Sequence, residues 1–335
     1  MKTSEFHFDL PEQLIAARPT DRRDGSRLMV VERASGRIET VPFPEIGRWL
    51  GEGDLLVLND SRVIHARLIQ PNPKTELLLL EQTSPGHWLA IGKPAKRILP
   101  GTRLQFPARR HGFGPLEAQI LRTLPDGSRV VRFPENMNLA LYGEMPLPPY
   151  IIEARQRLGL PAQLPEDEDR YQTVYARQEG SVAAPTAGLH FTPELLGQFD
   201  HAFITLHVGL GTFRPVKVAE IEDHEMHEER FFVPEGLRER AAAARRVVAV
   251  GTTTARVLES VPDLRPGPGR TRMFIRPPYQ PKRTDVLLTN FHLPGSTLLM
   301  LVAAFTGLEL QREAYRRAVA ERFRFFSYGD AMLIV

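Results

Sequence analysis

The sequence predicts an α/β fold: a discontinuous α/β domain with a largely parallel sheet, interrupted by an inserted all-β barrel or sandwich domain. After residue 149, the pattern of a buried strand, a loop and a helix occurs three times. Helices that alternate with buried strands favour a parallel sheet. Between residues 62 and 149, short apolar runs alternate with turn residues about every dozen positions, as in small antiparallel barrels or sandwiches. The predicted boundaries are therefore residues 1–61 with 150–335 for the α/β domain and 62–149 for the β domain.

The composition is that of a globular protein with a large core: 335 residues, 42% hydrophobic and 25% charged. A formal net charge of +3 permits a nucleic-acid partner without requiring one. The chain has no cysteine, which excludes disulfides, thiolate zinc sites, iron–sulfur clusters and cysteine nucleophiles. We expect a cytoplasmic protein, because the N-terminus lacks a signal-peptide core and the longest apolar run, residues 298–305, is too short for a bilayer.

The N-terminal part of the α/β domain contains two predicted strands, at residues 28–31 and 54–58. The second strand runs directly into Asn59 and Asp60. Polar groups at the end of a buried strand lie where α/β folds bind ligands, and a structural turn is the alternative interpretation. In the β segment, residues 125–128 read Pro-Asp-Gly-Ser, which predicts a hairpin.

Residues 170–192 are rich in side chains that make hydrogen bonds and poor in long aliphatic ones. Residues 180–188 are mostly small, so they predict a loop that lets the backbone approach a ligand closely. Thr192, followed by Pro193 and Glu194, predicts a helix start, whose free N–H groups suit a negative group. His190 lies at this junction.

Three further strands are predicted at residues 203–208, 247–250 and 286–290. His207 lies within the first of these, close to its carboxyl end and directly before a glycine-rich loop. His190 and His207 are the best acid–base candidates, because imidazole titrates near neutral pH. A structural histidine with both nitrogens satisfied is the alternative interpretation for each.

Two loops after these strands have the composition of ligand-binding turns. Gly209 and Gly211, followed by Thr212, form half of a dinucleotide-binding motif, but the third glycine is missing and a Rossmann site is weakly supported. Thr252 and Thr253 follow Gly251, and their hydroxyls suit a ribose or a carboxylate. Helix capping is the alternative explanation for this turn.

Residues 223–229 contain two histidines among acidic residues. His224 and His227 are three positions apart, which does not match the His-Glu-x-x-His spacing of zinc proteases. The segment is interpreted as a charged or catalytic surface, with a metal site as the less favoured alternative.

Residues 265–283 hold six cations and no acidic residue, interleaved with Phe274 and Tyr279. This pattern predicts a loop that follows a phosphate backbone while its rings stack on bases. A solvated basic loop is the alternative. The candidate nucleic-acid-binding residues are Arg270, Arg272, Arg276, Lys282 and Arg283.

Several longer strings carry a resemblance to a known family. In chain order they are NDSRV (59–63), PLPPYI (146–151), RYQTVYA (170–176), AAPTAGLHF (183–191), TLHVGLGTF (205–213), TNFHLP (289–294) and RFFSYGDAM (324–332). Together they resemble the S-adenosylmethionine:tRNA ribosyltransferase-isomerases of queuosine biosynthesis, and the resemblance covers essentially the whole chain. It implies an α/β domain made from both ends of the chain and an inserted β-barrel.

The resemblance also implies a reaction. Such enzymes move the ribosyl part of S-adenosylmethionine onto the aminomethyl group of a 7-deazaguanine at the wobble position of tRNA. The product is epoxyqueuosine, and adenine and methionine leave. S-adenosylmethionine is thus a consumed co-substrate, no metal or redox cofactor is needed, and the macromolecular partner is a tRNA carrying the modified base. We expect a monomer without membrane contact.

This chemistry needs three proton transfers. The candidate groups are His190, His207 and His227, with His190 as the first choice and with Asp60 or Asp330 orienting one of them. The aromatic faces of Tyr171, Tyr175 and Tyr328 are suited to the sulfonium. Other substrate-binding positions carried over from the family are Asn59, Arg62, Arg170, Gln172, Thr186, Gly188, Gly209, Gly211, Thr212, Thr252, Thr253, Asn290, His292 and Asp330.

Two rival functions remain at this point. A tRNA methyltransferase that uses S-adenosylmethionine would release S-adenosylhomocysteine in place of adenine and methionine. A non-catalytic RNA-binding protein would use the β domain and the basic loop alone. The sequence also departs from the family pattern: Glu228 stands where the family has a serine.

Overall fold

The computed structural model describes residues 1–209, 216 and 218–335. Its strands, in chain order, are β1 (Arg27–Val31), β2 (Ile38–Pro42), β3 (Asp54–Asn59), β4 (Ser61–Val63), β5 (Arg67–Pro71), β6 (Lys74–Ser84), β7 (His87–Lys93), β8 (Arg103–Phe106), β9 (Leu116–Thr123), β10 (Arg129–Arg132), β11 (Gln178–Ser181), β12 (His201–Leu206), β13 (Glu229–Val233), β14 (Arg246–Val250), β15 (Gly267–Thr271), β16 (Val286–Asn290) and β17 (Ala331–Ile334).

The α-helices are α1 (Pro149–Arg157), α2 (Asp167–Arg170), α3 (Pro193–Leu196), α4 (Leu237–Ala243), α5 (Thr252–Ser260), α6 (Thr297–Thr306) and α7 (Leu308–Ala320). Short 3₁₀ helices include Phe43–Arg48 and Thr186–His190. The predicted helix start at Thr192 is confirmed, because its hydroxyl accepts a hydrogen bond from the Leu195 N–H at 3.2 Å. Within the described residues, no helix is long and apolar enough to cross a bilayer.

The chain separates into two compact units. The first comprises Met1–Ser61, Pro148–Gln178 and Pro185–Val335, and the second comprises Arg62–Leu147 and Glu179–Ala184. Residues 179–184 thus group with the second unit, although the sequence analysis placed them in the α/β domain. The predicted limits of independently folding domains stay a prediction.

The first unit contains a nine-stranded sheet in the order β15-β13-β12-β3-β14-β16-β17-β1-β2. The prediction of a largely parallel sheet holds for its centre, where β12, β3, β14 and β16 run parallel, and for the pair of β1 with β17. β13, β15 and β2 pair antiparallel with their neighbours, and β17 runs antiparallel to β16. The fold is therefore mixed α/β.

The direction of β17 follows from the two helices that precede it. One helix returns the chain to the edge where its strand began, so the next strand is parallel. Here α6 and α7 follow one another, joined at Gly307 with φ +79°, and the chain makes two passes in opposite directions. β17 therefore enters the sheet at the edge where β16 ends, and the two strands are antiparallel.

The central strands are buried on both faces, as expected for strands covered on two sides. Every residue of β3 and of β16 is buried. On one face, apolar side chains of β1, β3, β14 and β16 pack against Phe43, Phe191 and Leu195. This core holds the carboxyl ends of the four parallel strands in a fixed arrangement.

The second unit contains a six-stranded antiparallel sheet in the order β5-β6-β7-β10-β9-β8. The predicted hairpin is confirmed: it joins β9 to β10, with Gly127 at φ +83° and the Asp126 carboxylate accepting from the Ser128 N–H. The Gln105 N–H on β8 donates to Gln70 Oε1 on β5 at 2.9 Å, so the first and last strands meet and the sheet is nearly closed. β4 and β11, mostly within this unit, form a separate two-stranded sheet.

Candidate active site

Polar side chains converge at the carboxyl ends of the four parallel strands. Asn59 ends β3, His207 follows β12, Thr252 begins α5 directly after β14, and Asn290 ends β16. Because parallel strands end at the same edge of a sheet, residues far apart in the chain become neighbours there. This edge is where α/β folds bind ligands, and the sequence placed candidate residues at all four positions.

Asn59 ties the ends of β3 and β12 together. Its Nδ2 donates to the Leu206 carbonyl and its Oδ1 accepts from the Leu206 N–H, both at 2.9 Å. The same Nδ2 lies 3.5 Å from the Thr253 hydroxyl of α5. Asn59 is fully buried, so its side chain fixes the geometry of the edge.

Asp60 holds a buried negative charge beside Asn59, with the residue only 4% exposed. Its Oδ1 accepts from the Thr205 hydroxyl at 2.6 Å and its Oδ2 accepts from Arg177 Nη2 at 3.1 Å. The Arg177 guanidinium also lies 4.4 Å from the centre of the Phe203 ring. A carboxylate that accepts two hydrogen bonds, one of them from a cation, is fixed in orientation.

Thr205 and Arg177 were not among the predicted site residues. A signal for Thr205 existed, because it alternates with His207 on the same strand and therefore points to the same face. Arg177 directly follows the string RYQTVYA, but only the fold brings it to Asp60.

His207 is half-buried at the end of β12. Its Nδ1 is buried and has no hydrogen-bond partner among the described residues. Burial lowers the pKa of His207, and the charge of Arg230 lowers it further, while the charge of Asp60 opposes both. The imidazole is therefore neutral near pH 7, with a ring nitrogen uncommitted within the described structure.

His190 has a different environment, because both of its ring nitrogens are occupied. The residue is 4% exposed, its Nδ1 lies 2.8 Å from the Ser26 hydroxyl, and its Nε2 lies 3.1 Å from the Asn290 Nδ2. Since Asn290 Nδ2 can only donate, Nε2 accepts, and Nδ1 carries the proton that Ser26 accepts. Burial lowers the pKa of His190 to about 4. This geometry is that of a structural histidine, and its assignment to proton transfer stays a prediction.

Asn290 joins this second group of polar residues. Its Oδ1 accepts from the Thr186 hydroxyl at 3.0 Å, and its Nδ2 also donates to the Phe326 carbonyl at 3.3 Å. Asp330 lies nearby in sequence to Phe326 and accepts from the backbone N–H groups of Arg27 and Arg324, at 2.9 and 2.8 Å. Asp330 therefore anchors β1 to the segment before β17.

His292 is also buried, with one ring nitrogen hydrogen-bonded. Its Nε2 lies 2.8 Å from the Thr289 hydroxyl, and burial lowers its pKa to about 3. The contact with a substrate that the sequence analysis assigned to His292 stays a prediction.

Tyr175 explains one of the small residues in the stretch 170–192. A Cβ added at Gly188 would lie 1.8 Å from the Tyr175 hydroxyl oxygen, so only glycine fits there. The small residue at this position makes room for a tyrosine of the chain itself. Tyr175 packs against the Phe203 ring at 5.4 Å, and burial, with the charge of Asp60, raises its pKa.

Tyr171 and Tyr328 lie away from solvent, at 0% and 4% exposure. Their rings meet edge to face at 5.9 Å, and the Tyr328 hydroxyl donates to Asp167 Oδ1 at 2.9 Å. Asp167 in turn pairs with the buried Arg155. Of the three tyrosines predicted to face the sulfonium, Tyr175 alone keeps partial exposure.

Arg170 and Gln172 hold the charged loop at residues 20–24. The Arg170 guanidinium donates to the carbonyls of Thr20 and Asp21, at 2.8 and 3.2 Å. The Gln172 carbonyl accepts from Arg23 Nη1 at 2.8 Å. Burial and the charge of the neighbouring Arg170 lower the pKa of Arg23, so the two guanidinium groups influence each other.

The predicted tRNA-binding arginines are paired with acids from another segment. Arg270 and Arg272 lie 2.5 and 3.5 Å from Glu228, and Arg276 lies 3.1 Å from Glu222. The backbone N–H groups of Lys282 and Arg283 donate to Glu259, and the Arg283 guanidinium donates to a carbonyl. Glu228, the departure from the family pattern, thus offsets part of the charge of this loop.

The remaining predicted residues are dispersed. His227 is exposed, and its charge acts on His224. Gly209 donates its N–H to Glu229 Oε1 at 3.2 Å, and Arg62, in the second unit, lies 4.0 Å from Glu179. Gly211 and Thr212 lie outside the described residues. Within the described part of the chain, no group of three or more His, Asp or Glu side chains has the arrangement of a metal site.

Comparisons with known proteins agree along the full length of the chain. A family model described as "Queuosine biosynthesis protein" matches residues 3–334. Proteins named S-adenosylmethionine:tRNA ribosyltransferase-isomerase from Caldanaerobacter subterraneus and Thermotoga maritima are 49% and 48% identical, over 100% of both chains in each case. A crystal structure titled S-adenosylmethionine tRNA ribosyltransferase, from Thermotoga maritima, is similar with a TM-score of 0.55 and 38% identity, covering 99% of this chain and 100% of that one.

Proposed function

The chain belongs to the queuosine biosynthesis protein family, and we propose that it catalyses the reaction for which its relatives are named. It transfers the ribosyl part of S-adenosylmethionine to the aminomethyl nitrogen of 7-aminomethyl-7-deazaguanine at the tRNA wobble position, and isomerises it to the epoxide of epoxyqueuosine. Adenine and methionine leave.

The observation that supports this proposal best is the position of His207 at the carboxyl edge of the sheet, where the charge of Asp60 acts on it. A sulfonium makes the protons on the adjacent ribose C5′ acidic, so the reaction needs a base close to that carbon. His207 is neutral near pH 7 and has a ring nitrogen without a partner among the described residues. Asp60 favours the imidazolium that forms when His207 accepts a proton, because its charge raises the pKa of His207.

Other residues of the same edge supply binding groups. The hydroxyls of Thr252 and Thr253, at the start of α5, suit the ribose. Tyr175 offers the aromatic face on which a sulfonium is stabilised, and it packs beside Phe203 close to Asp60. His190 and Asn290 position the segment 186–190 through their mutual hydrogen bond.

Identification of the small products tests the function directly. The protein is incubated with S-adenosylmethionine and tRNA carrying the aminomethyl base, and the products are identified by mass. We expect adenine and methionine in equal amounts, with a matching mass increase on the tRNA. Formation of S-adenosylhomocysteine would identify a methyltransferase. Recovery of unchanged S-adenosylmethionine would favour the non-catalytic RNA-binding function.

The role of His207 is tested with His207→Gln. We expect adenine release to fall about 10²- to 10⁴-fold, the usual contribution of a positioned acid or base, while tRNA binding is unchanged. His201→Gln is the matched control, because His201 begins the same strand at its opposite end and is likewise half-buried. Normal turnover by His207→Gln would exclude it as the base.

A further inference from the structure

The net positive charge of the chain comes from the second unit. Residues 62–147 and 179–184 contain 12 Lys and Arg and 7 Asp and Glu, a net charge of +5. The first unit contains 31 Lys and Arg and 33 Asp and Glu, a net charge of −2, which leaves +3 for the whole chain. The barrel-like unit therefore accounts for the entire excess of cations.

Within this unit the charge is concentrated in one continuous run. Residues 82–116 contain six Lys and Arg and no acidic residue. Lys93 pairs with Glu76 at 3.6 Å. Four others are exposed and enter no ion pair with any described residue: Lys96, Arg97, Arg103 and Arg110. This differs from residues 265–283, whose arginines are partly neutralised by Glu222 and Glu228.

One of these cations lies on the strand β8, and the other three lie in the segments before and after it. Arg103 begins β8, and its side chain points outward because exposed and buried residues alternate along the strand. Lys96 and Arg97 precede this strand, and Arg110 follows it in the loop 107–115. Four residues of strand span roughly 10 Å, so cations at the two ends of β8 are far enough apart to meet more than one phosphate of a nucleic-acid backbone.

The loop 107–115 also exposes one aromatic ring among its cations. Phe113 is 53% exposed, close to Arg110 and His111 and between two glycines. An exposed ring beside unpaired cations is the combination that binds single-stranded nucleic acid, because cations contact phosphates while the ring stacks on a base. A membrane-binding surface would need a larger apolar area than a single ring.

We propose that β8 and the loop 107–115 form a binding surface for the tRNA substrate. Lys96, Arg97, Arg103 and Arg110 contact phosphates, and Phe113 stacks on an unpaired base. This inference rests on the proposed function for the identity of the RNA, and it assigns to the second unit the task of holding the substrate while the first unit carries the chemistry.

Three variants test the surface: Arg110→Glu, Phe113→Ser, and Arg238→Glu as the matched control. Arg238 is an exposed arginine on α4 of the first unit. We expect Arg110→Glu to raise the Kd for tRNA about tenfold at physiological salt and to reduce the slope of log Kd against log salt by about 0.7–0.9. Phe113→Ser raises the Kd by roughly tenfold without changing the slope, because stacking releases no counterions. Arg238→Glu leaves both quantities unchanged.

Steady-state kinetics separate this surface from the catalytic proposal. For Arg110→Glu we expect a higher KM for tRNA and an unchanged kcat for adenine release. If the wild type releases adenine and Arg110→Glu has the same Kd and KM for tRNA as the wild type, the proposed surface is overturned. The proposal is also overturned if Arg110→Glu or Phe113→Ser loses binding to phosphatidylserine vesicles while its binding to tRNA is unchanged. A wild-type protein that binds tRNA through Arg110 and Phe113 but releases no adenine would instead overturn the proposed function and support the surface.

Discussion

At the scale of single residues, burial and hydrogen bonding separate three histidines of the first unit. His190 is buried with both ring nitrogens hydrogen-bonded, and His292 is buried with its Nε2 hydrogen-bonded, while the buried Nδ1 of His207 has no partner among the described residues. Local sequence does not distinguish them. His190 follows a stretch of small residues, and His207 and His292 lie at or just after the ends of apolar strands. For His190 the partners are 100 or more residues away, at Ser26 and Asn290, whereas His292 bonds to Thr289 only three residues away.

The buried state of His190 predicts a pH-dependent stability. Its folded-state pKa is about 4, below the ordinary value of 6.5, so the unfolded chain binds the proton more tightly. The stabilisation is therefore complete above pH 6.5 and is lost as the pH falls towards 4. Between pH 7 and pH 4 we expect the free energy of unfolding of the wild type to fall by about 3 kcal/mol more than that of His190→Gln.

Urea unfolding at a series of pH values measures this difference. His111→Gln is the control, because His111 is exposed and its replacement should leave the pH dependence of the wild type unchanged. Parallel pH profiles for the wild type and His190→Gln would show that burial of His190 does not control the acid sensitivity.

At the scale of elements, a buried ion pair fixes the short helix α2 against α1. Arg155 Nη1 and Nη2 lie 2.6 and 2.7 Å from the Asp167 carboxylate, and neither side chain is more than 1% exposed. Asp167 also accepts from the Leu164 N–H and from the Tyr328 hydroxyl. A four-residue helix has little stability of its own, so these bonds hold α2 in place.

Asp167→Ala should consequently be strongly destabilising. It leaves the Arg155 guanidinium buried without its counter-charge, which costs about 3–5 kcal/mol in comparable cases. The free energy of unfolding, measured in urea, reports this loss. Arg18→Ala is the control: Arg18 and Glu166 form an exposed pair at 3.9 Å, and such pairs contribute about 1 kcal/mol or less. A loss for Asp167→Ala as small as that of the control would contradict the role of the ion pair.

At the scale of the whole molecule, the chain leaves the second unit at Leu147 and returns to it for residues 179–184. The returning segment contributes Val182, which is 1% exposed, to the apolar core of that unit. No property of residues 179–184 alone indicates this return, because the segment is short, small and polar in part.

Val182→Ala should therefore destabilise the second unit by about 2 kcal/mol, the usual cost of removing two buried methyl groups and leaving a cavity. Hydrogen exchange followed by mass spectrometry should show faster exchange in residues 62–147. Val174→Ala, at a position 40% exposed, is the control and should leave exchange unchanged. Faster exchange confined to the first unit would show that Val182 does not support the second.

The sequence by itself determined the family, the β segment between two α/β parts, and most central strands to within about two residues, such as β16 and β3. It also placed Asn59, Asp60, His207 and Asn290 at strand ends. These properties depend on the local hydrophobic periodicity, on turn residues and on sequence motifs typical of the family, all of which are local features of the sequence.

Only the tertiary structure decided the direction of β17, the pairing of Arg177 and Thr205 with Asp60, and which histidine keeps an uncommitted nitrogen. It also revealed that Glu222 and Glu228 partly neutralise the basic loop at residues 265–283, while Lys96, Arg97, Arg103 and Arg110 enter no ion pair with any described residue. Each of these depends on contacts between residues far apart in sequence. Such contacts are set by how the elements pack, and no local pattern carries that information.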